Sequence, residues 1–182
     1  MSLAPPGANF KRAAFTLLEL LAVIAIIAIL AGIVIGVGRR ASESGKIART
    51  KTELAALSTA LESYMRNYGD YPQTDDEARL LQSLIGQRGP TGTKLTGRSF
   101  IETARFVIVD SLDPFVNTAA TLVDPWGQPY VFAYKSQVPW TNSGFVLYSI
   151  GPDGLDSAGL LAGGFFDTTP QENADNICAN RN

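Results

Sequence analysis

Histidine is absent from the 182 residues, and cysteine occurs once, at Cys178. The first absence removes Ser-His-Asp and Cys-His nucleophilic chemistry and leaves little for zinc or another transition metal to bind. The second excludes an intrachain disulfide and leaves the redox compartment undetermined. A positive excess is missing as well: 15 lysines and arginines stand against 17 acidic residues, so no basic surface argues for nucleic acid as a partner. The chain also has no Gly-x-Ser-x-Gly, no phosphate loop and no carboxylate pair at a recognisable catalytic spacing. A membrane-anchored enzyme or binding protein therefore has little to rest on, although it stays in view as an alternative. The last absence is of charge: none occurs from Leu20 to Gly38. At 1.5 Å per helical residue that run covers about 28 Å, close to the roughly 30 Å hydrocarbon core of a bilayer.

A short basic leader with Lys11 and Arg12 precedes this run, and one acid, Glu19, sits at its start. A cleaved secretory signal has an apolar region of roughly 7–15 residues followed by a small-residue cleavage site. Here the run is longer, it carries Glu19, and Arg39-Arg40 follow it without an Ala-x-Ala site. A plain signal anchor is the simpler alternative. The basic residues after the run (Arg39, Arg40, Lys46, Arg49 and Lys51) would, by the positive-inside rule alone, place the body in the cytoplasm.

Helical periodicity continues past the apolar stretch. Ile47, Leu54, Leu57, Leu61, Tyr64, Met65 and Tyr68 recur at three- and four-residue spacings, with Glu43, Lys46, Arg49, Lys51, Glu53, Glu62 and Arg66 between them. No proline interrupts Phe15 to Tyr68, so the pattern predicts one helix of about 80 Å, ended by Gly69-Asp70-Tyr71-Pro72. Gly32, Gly36 and Gly38 are soft points in it, each costing about 1 kcal/mol relative to Ala. Thr74-Asp75-Asp76-Glu77 reads as a capping box before a second, short helix over 78–85, and Gly86 to Ser99 reads as a surface loop. Arg105 to Val109 is a weak strand candidate. Tyr130–Tyr134 and Phe145–Ser149 are stronger ones, rich in aromatic and β-branched residues and separated by turn residues. The expected fold is α+β: one long N-terminal helix against a small antiparallel sheet, with a short second helix and an irregular C-terminal loop.

Lys11-Arg12-Ala13-Ala14-Phe15-Thr16-Leu17-Leu18-Glu19-Leu20 resembles the N-terminus of type IV pilins and of the pseudopilins of type II secretion systems. The resemblance implies a pilin-like fold and cleavage by a prepilin peptidase between Ala14 and Phe15, although Ala14 stands where the family usually has Gly. It further implies N-methylation of Phe15 and an assembly role for Glu19, paired with a neighbouring subunit's terminal amine. At about 4 Å and an effective dielectric of 20 such a pair attracts by roughly 4 kcal/mol; otherwise Glu19 simply lies among lipid headgroups. The implied organisation is a leader over 1–14, a transmembrane and assembly half-helix over 15–38, an amphipathic half-helix over 39–68 and a periplasmic domain over 69–182. This N-in, C-out topology overrides the charge count. The implied partners are further copies of the chain, minor pseudopilins, the prepilin peptidase, an inner-membrane assembly platform and, before assembly, membrane lipid.

Asp124-Pro125-Trp126-Gly127-Gln128-Pro129-Tyr130 and Ser149-Ile150-Gly151-Pro152-Asp153-Gly154 resemble the C-terminal region of the major pseudopilin, and Asn67 to Pro72 adds a third match. The physical reading of Asp-Pro-Trp-Gly is a tight turn with Trp126 packed on the core. Oxygen-rich loops with acids such as Asp153, Asp156, Asp167 and Asp175 suit a hard cation. The resemblance implies calcium held by Asp153 and Asp175, with Asp156 a third ligand from local spacing; solvated turn acids are the alternative. Leu160 to Phe166 departs from the short polar stretch usual there. A type IV pilus pilin or a minor pseudopilin is the close competitor, the single cysteine and Asp-Pro-Trp-Gly favouring the major pseudopilin.

Overall fold

The computed structural model describes residues 16–137, 139–157 and 159–179, with the side chains of residues 33–39 outside the description. A 52-residue helix, α1 (Leu17–Tyr68), is followed by α2 (Glu77–Leu84). Among the described residues seven short strands come next: β1 (Val107–Ile108), β2 (Leu122–Val123), β3 (Val131–Ala133), β4 (Val146–Ser149), β5 (Leu160–Leu161), β6 (Phe165–Phe166) and β7 (Ile177–Cys178). The α+β expectation is met. The chain divides into two compact units, with the boundary after Ser42 inside α1. Among the described residues, no helix is long and apolar enough to cross a membrane; the described side chains of the apolar run stop at Gly32.

In the unit that begins at Glu43, α1 is amphipathic as its spacing predicts. Leu54, Leu57, Leu61 and Tyr64 are buried, whereas Lys51, Thr52, Ala55 and Ala56 are exposed. The leucines pack with Leu80, Leu81 and Leu84 of α2 and with Phe132 and Leu147 of the sheet. Each fully buried leucine contributes about 2 kcal/mol of apolar transfer energy. The helix stops where expected: Gly69 takes φ +84° and its N–H donates to the Met65 carbonyl at 2.7 Å. A left-handed residue there reverses the chain, and glycine adopts it without the Cβ penalty. The cap of α2 is a correction. Asp76, not Thr74, accepts from the Arg79 N–H at 2.9 Å, while Thr74 is held in a bridge to Tyr134 and accepts from the Asp76 N–H.

The two stronger predicted strands form and pair antiparallel, with Phe132 opposite Leu147 and Ala133 opposite Val146. Because strand side chains alternate, Phe132 and Leu147 face the helical core, whereas Ala133, Val146 and Tyr148 form a second cluster on the other face. The weak candidate shrinks to β1, which pairs with β2. The expectation of an irregular C-terminal loop needs correction. β5 and β6 make a hairpin, and β7 adds a third strand to the sheet, with Tyr148 opposite Cys178 and Ser149 opposite Ile177.

The turn after α1 is tied to the sheet by Asp70, which accepts from Tyr134 Oη at 2.8 Å, Lys135 Nζ at 2.7 Å and Gln73 Nε2 at 2.9 Å. Burial alone would raise its carboxyl, but these hydrogen bonds and one from the Tyr71 N–H outweigh burial and hold it at about 2, below the ordinary 3.8. The folded state therefore keeps Asp70 ionised where the unfolded chain takes up a proton. Its contribution is fully present above about pH 4 and is lost as pH falls through 2. Between pH 6 and pH 2.5 this group should cost the native state about 1.5 kcal/mol. Urea unfolding at both pH values should show that loss in the wild type and a smaller one, by about that amount, in Asp70→Asn; equal losses would remove Asp70 from the acid response.

Candidate assembly site

Ala14 and Phe15, the expected processing pair, lie outside the described residues. Glu19, the expected assembly residue, occupies the first turn of α1. Its N–H donates to Thr16 Oγ1 at 3.2 Å, and its Oε2 accepts from both the N–H and the hydroxyl of Thr16 at 3.3 Å. This is a reciprocal capping box, and it satisfies donors that the first turn of a helix leaves without intrahelical partners. The Thr16-x-x-Glu19 spacing carries that signal, and attention to the charge of Glu19 alone misses it. A carboxylate at the positive end of the helix dipole is also favourable.

Around Glu19 the helix presents apolar side chains on every side. Leu17, Leu18, Leu20, Leu21, Ile24 and Ile27 are all more than half exposed, Leu17 at 86%. A helix that is apolar all round needs an apolar environment on all sides, which a neighbouring helix or lipid supplies and water does not.

In the other unit, the Asp124–Gly127 turn is built around one buried carboxylate. Asp124 Oδ1 accepts from the N–H groups of Trp126 and Gln128, both at 2.9 Å, and Oδ2 accepts from Ser149 Oγ at 2.6 Å. The Gly127 N–H closes the turn on the Asp124 carbonyl. Trp126 is only partly buried, correcting the expectation that it packs on the core. Its Nε1 donates to Glu43 Oε1 of α1 at 2.7 Å, and Lys46 Nζ lies 5.8 Å from the ring centroid. The turn thus docks on the helix through a polar tip and a cation over the ring.

Glu53, which the helical pattern assigns to the solvent face, is 6% exposed. Tyr130 Oη donates to its Oε2 at 2.5 Å, and Arg49 Nε lies 2.7 Å from its Oε1. Burial and the bond to Glu53 push the Tyr130 hydroxyl above its ordinary value, so the tyrosine keeps its proton and donates. A charged residue among leucines gives no sequence signal of a partner 77 positions away.

In the acidic loop the backbone of Asp153 meets the Asp175 carboxylate, while Asp153 Oδ1 accepts from the Leu155 N–H at 2.8 Å. Gly151, at φ +77°, lets the chain pass so close that a Cβ would lie 2.6 Å from the Asp175 carbonyl oxygen. Across that approach the Asp153 N–H donates to Asp175 Oδ2 at 3.2 Å. Asp156 is engaged elsewhere, accepting from Tyr148 Oη at 2.9 Å and Asn176 Nδ2 at 3.2 Å. Burial and this bond to Asp156 raise the Tyr148 hydroxyl. Among the described residues no three acidic or thiol side chains are grouped to hold a metal.

An acid-capped N-terminal helix with exposed apolar side chains from Leu17 to Leu30, joined to an α+β body, fits a pilin-like fold. The sequence comparisons agree. Residues 9–35 match the family described as the prokaryotic N-terminal methylation motif. Type II secretion system core protein G of Pseudomonas aeruginosa is 28% identical over 146 residues, 80% of this chain and 87% of the relative. The protein of the same name from Escherichia coli is 29% identical over 147 residues, 81% of this chain and 86% of the relative. No solved structure matches. The chain therefore carries the methylation motif and is similar to core protein G through most of its length.

Proposed function

We propose that this chain is a major pseudopilin: a structural subunit cut between Ala14 and Phe15, methylated on Phe15, and polymerised into the periplasmic filament of a type II secretion system. The single observation that carries this reading is that similarity to core protein G covers 80% of the chain, well beyond the 9–35 motif. The body is then matched along with the processing signal. The apolar half of α1 anchors the subunit in the inner membrane before assembly, with the N-terminus cytoplasmic and the body periplasmic. In the filament the same surface packs against further copies and minor pseudopilins, delivered by the inner-membrane assembly platform. Glu19 exchanges part of its capping role for the terminal amine of a neighbour, which fixes the axial register between subunits.

Calcium belongs to the proposal through Asp153 and Asp175. The observation in its favour is the close approach at Gly151, which holds these two oxygen-rich residues side by side. Asp156 joins them only by giving up its present partners.

Three measurements bear on these assignments. The mature chain, isolated from cells with its secretion machinery, should begin at Phe15 with the mass of one added methyl group; an intact leader would return the chain to a signal anchor. Glu19→Ala should still insert in membranes, yet its incorporation into wild-type filaments should fall at least about tenfold, the factor that 1.4 kcal/mol gives. Normal co-assembly would exclude the pairing role. Finally, the full chain should melt about 5 °C higher in millimolar Ca²⁺ than in chelator, as expected for binding that adds 1–3 kcal/mol. An unchanged melting temperature would remove calcium.

A further inference from the structure

The loop after α2 folds back on itself between Gln87 and Leu95. The Gly89 N–H donates to the Thr93 carbonyl at 2.9 Å and the Leu95 N–H to the Gln87 carbonyl at 3.0 Å, and these bonds bracket an antiparallel bridge between Arg88 and Lys94. A pair bracketed in this way is the closer, non-hydrogen-bonded type, and its two side chains leave the same face. Two cations therefore stand directly opposite each other, which costs stability unless a negative group lies between them.

No described residue supplies that charge, since none of the ion pairs among them includes Arg88 or Lys94. Arg88 is half-buried and fixed by neutral acceptors: its Nε donates to Gln82 Oε1, and its Nη1 donates to the Gly92 carbonyl at 2.9 Å. Gln82 is itself 3% exposed and anchored, its Nε2 donating to the Thr118 carbonyl at 2.5 Å. These contacts hold the guanidinium in place without neutralising it. Both cations line an open pocket of about 440 Å³, which Thr96 and Thr118 also border and which has no acidic residue in its wall.

We propose that this pocket binds a doubly charged phosphate group, free or as a monoester on a larger molecule, between Arg88 and Lys94. Charge selects it: a carboxylate brings one negative charge to two cations, whereas a phosphate monoester brings about 1.5 to 2 at pH 7, with three strong acceptor oxygens. The two cations divide the recognition, the guanidinium as a planar donor already held in position and the ammonium as a mobile point charge. Thr96 and Thr118 on the pocket wall add hydroxyl donors. The assignment is independent of the secretion reading.

With the full chain in phosphatidylcholine nanodiscs and its amide nitrogens labelled, inorganic phosphate at about pH 7.5 should shift the Arg88 and Leu95 amide signals saturably. Sodium chloride of equal ionic strength should not. Lys94→Gln should weaken binding about tenfold, as loss of one charged hydrogen bond implies, whereas Lys94→Arg should keep it within about threefold. Lys94 is exposed, so the amide signals of β3 and β4 should hold their positions in both variants. A shift of the same two signals in discs carrying phosphatidic acid, without added phosphate, makes a lipid headgroup a source of the group; a shift with inorganic phosphate only makes it the free ion. No saturable shift from either source would overturn the proposal, and so would a shift that chloride reproduces or a Lys94→Gln chain that binds as tightly as the wild type.

Discussion

From Glu43 onward only one face of α1 is covered, and the position of that face governs where the rest of the body goes. Leu54, Leu57 and Leu61 form a ridge that α2 and one face of the β3–β4 sheet must meet together. Strand alternation then sends Phe132 and Leu147 to the ridge and Val146 and Tyr148 away from it. The outward face needs a second cover, which the C-terminal hairpin provides through Phe166 and Leu160.

The two buried carboxylates inside this arrangement are there because each finds specific partners. Glu53 is tolerated among leucines because Tyr130 and Arg49 occupy its two oxygens. Asp124 is tolerated because a turn and Ser149 surround it with donors. Glu19 belongs to a different case. Its partners come from its own helix end, and the apolar side chains beside it are exposed. Buried carboxylates define the fold of the body, while the exposed one lies on the surface that the proposed filament uses.

What was legible in the sequence follows from how local each signal is. The long helix, its end at Gly69 and the pairing of Val131–Ala133 with Val146–Ser149 rest on periodicity and on a glycine with a positive φ, all readable within a few residues. The hairpin and β7 were not legible. Strands of two residues have no period, and Gly163-Gly164 is fixed by Trp140 and Thr141, more than twenty positions earlier. The cap of α2 shifted from Thr74 to Asp76 because a bridge to Tyr134 claims Thr74. Of the site residues, Glu19 was legible as an acid in an apolar run, but its bond to Thr16 depends on the actual helix start.

By itself, then, the sequence determined the elements whose information is periodic or terminal: an apolar stretch with one acid at its head, an amphipathic continuation, two alternating strands and a methylation motif. Tertiary structure alone decided which polar residues are buried, which donors each carboxylate meets, and that the β5–β6 hairpin would close over the sheet. Those outcomes depend on contacts between residues far apart in the chain. Such contacts form only when α1 and the sheet are both in place, so no local pattern encodes them.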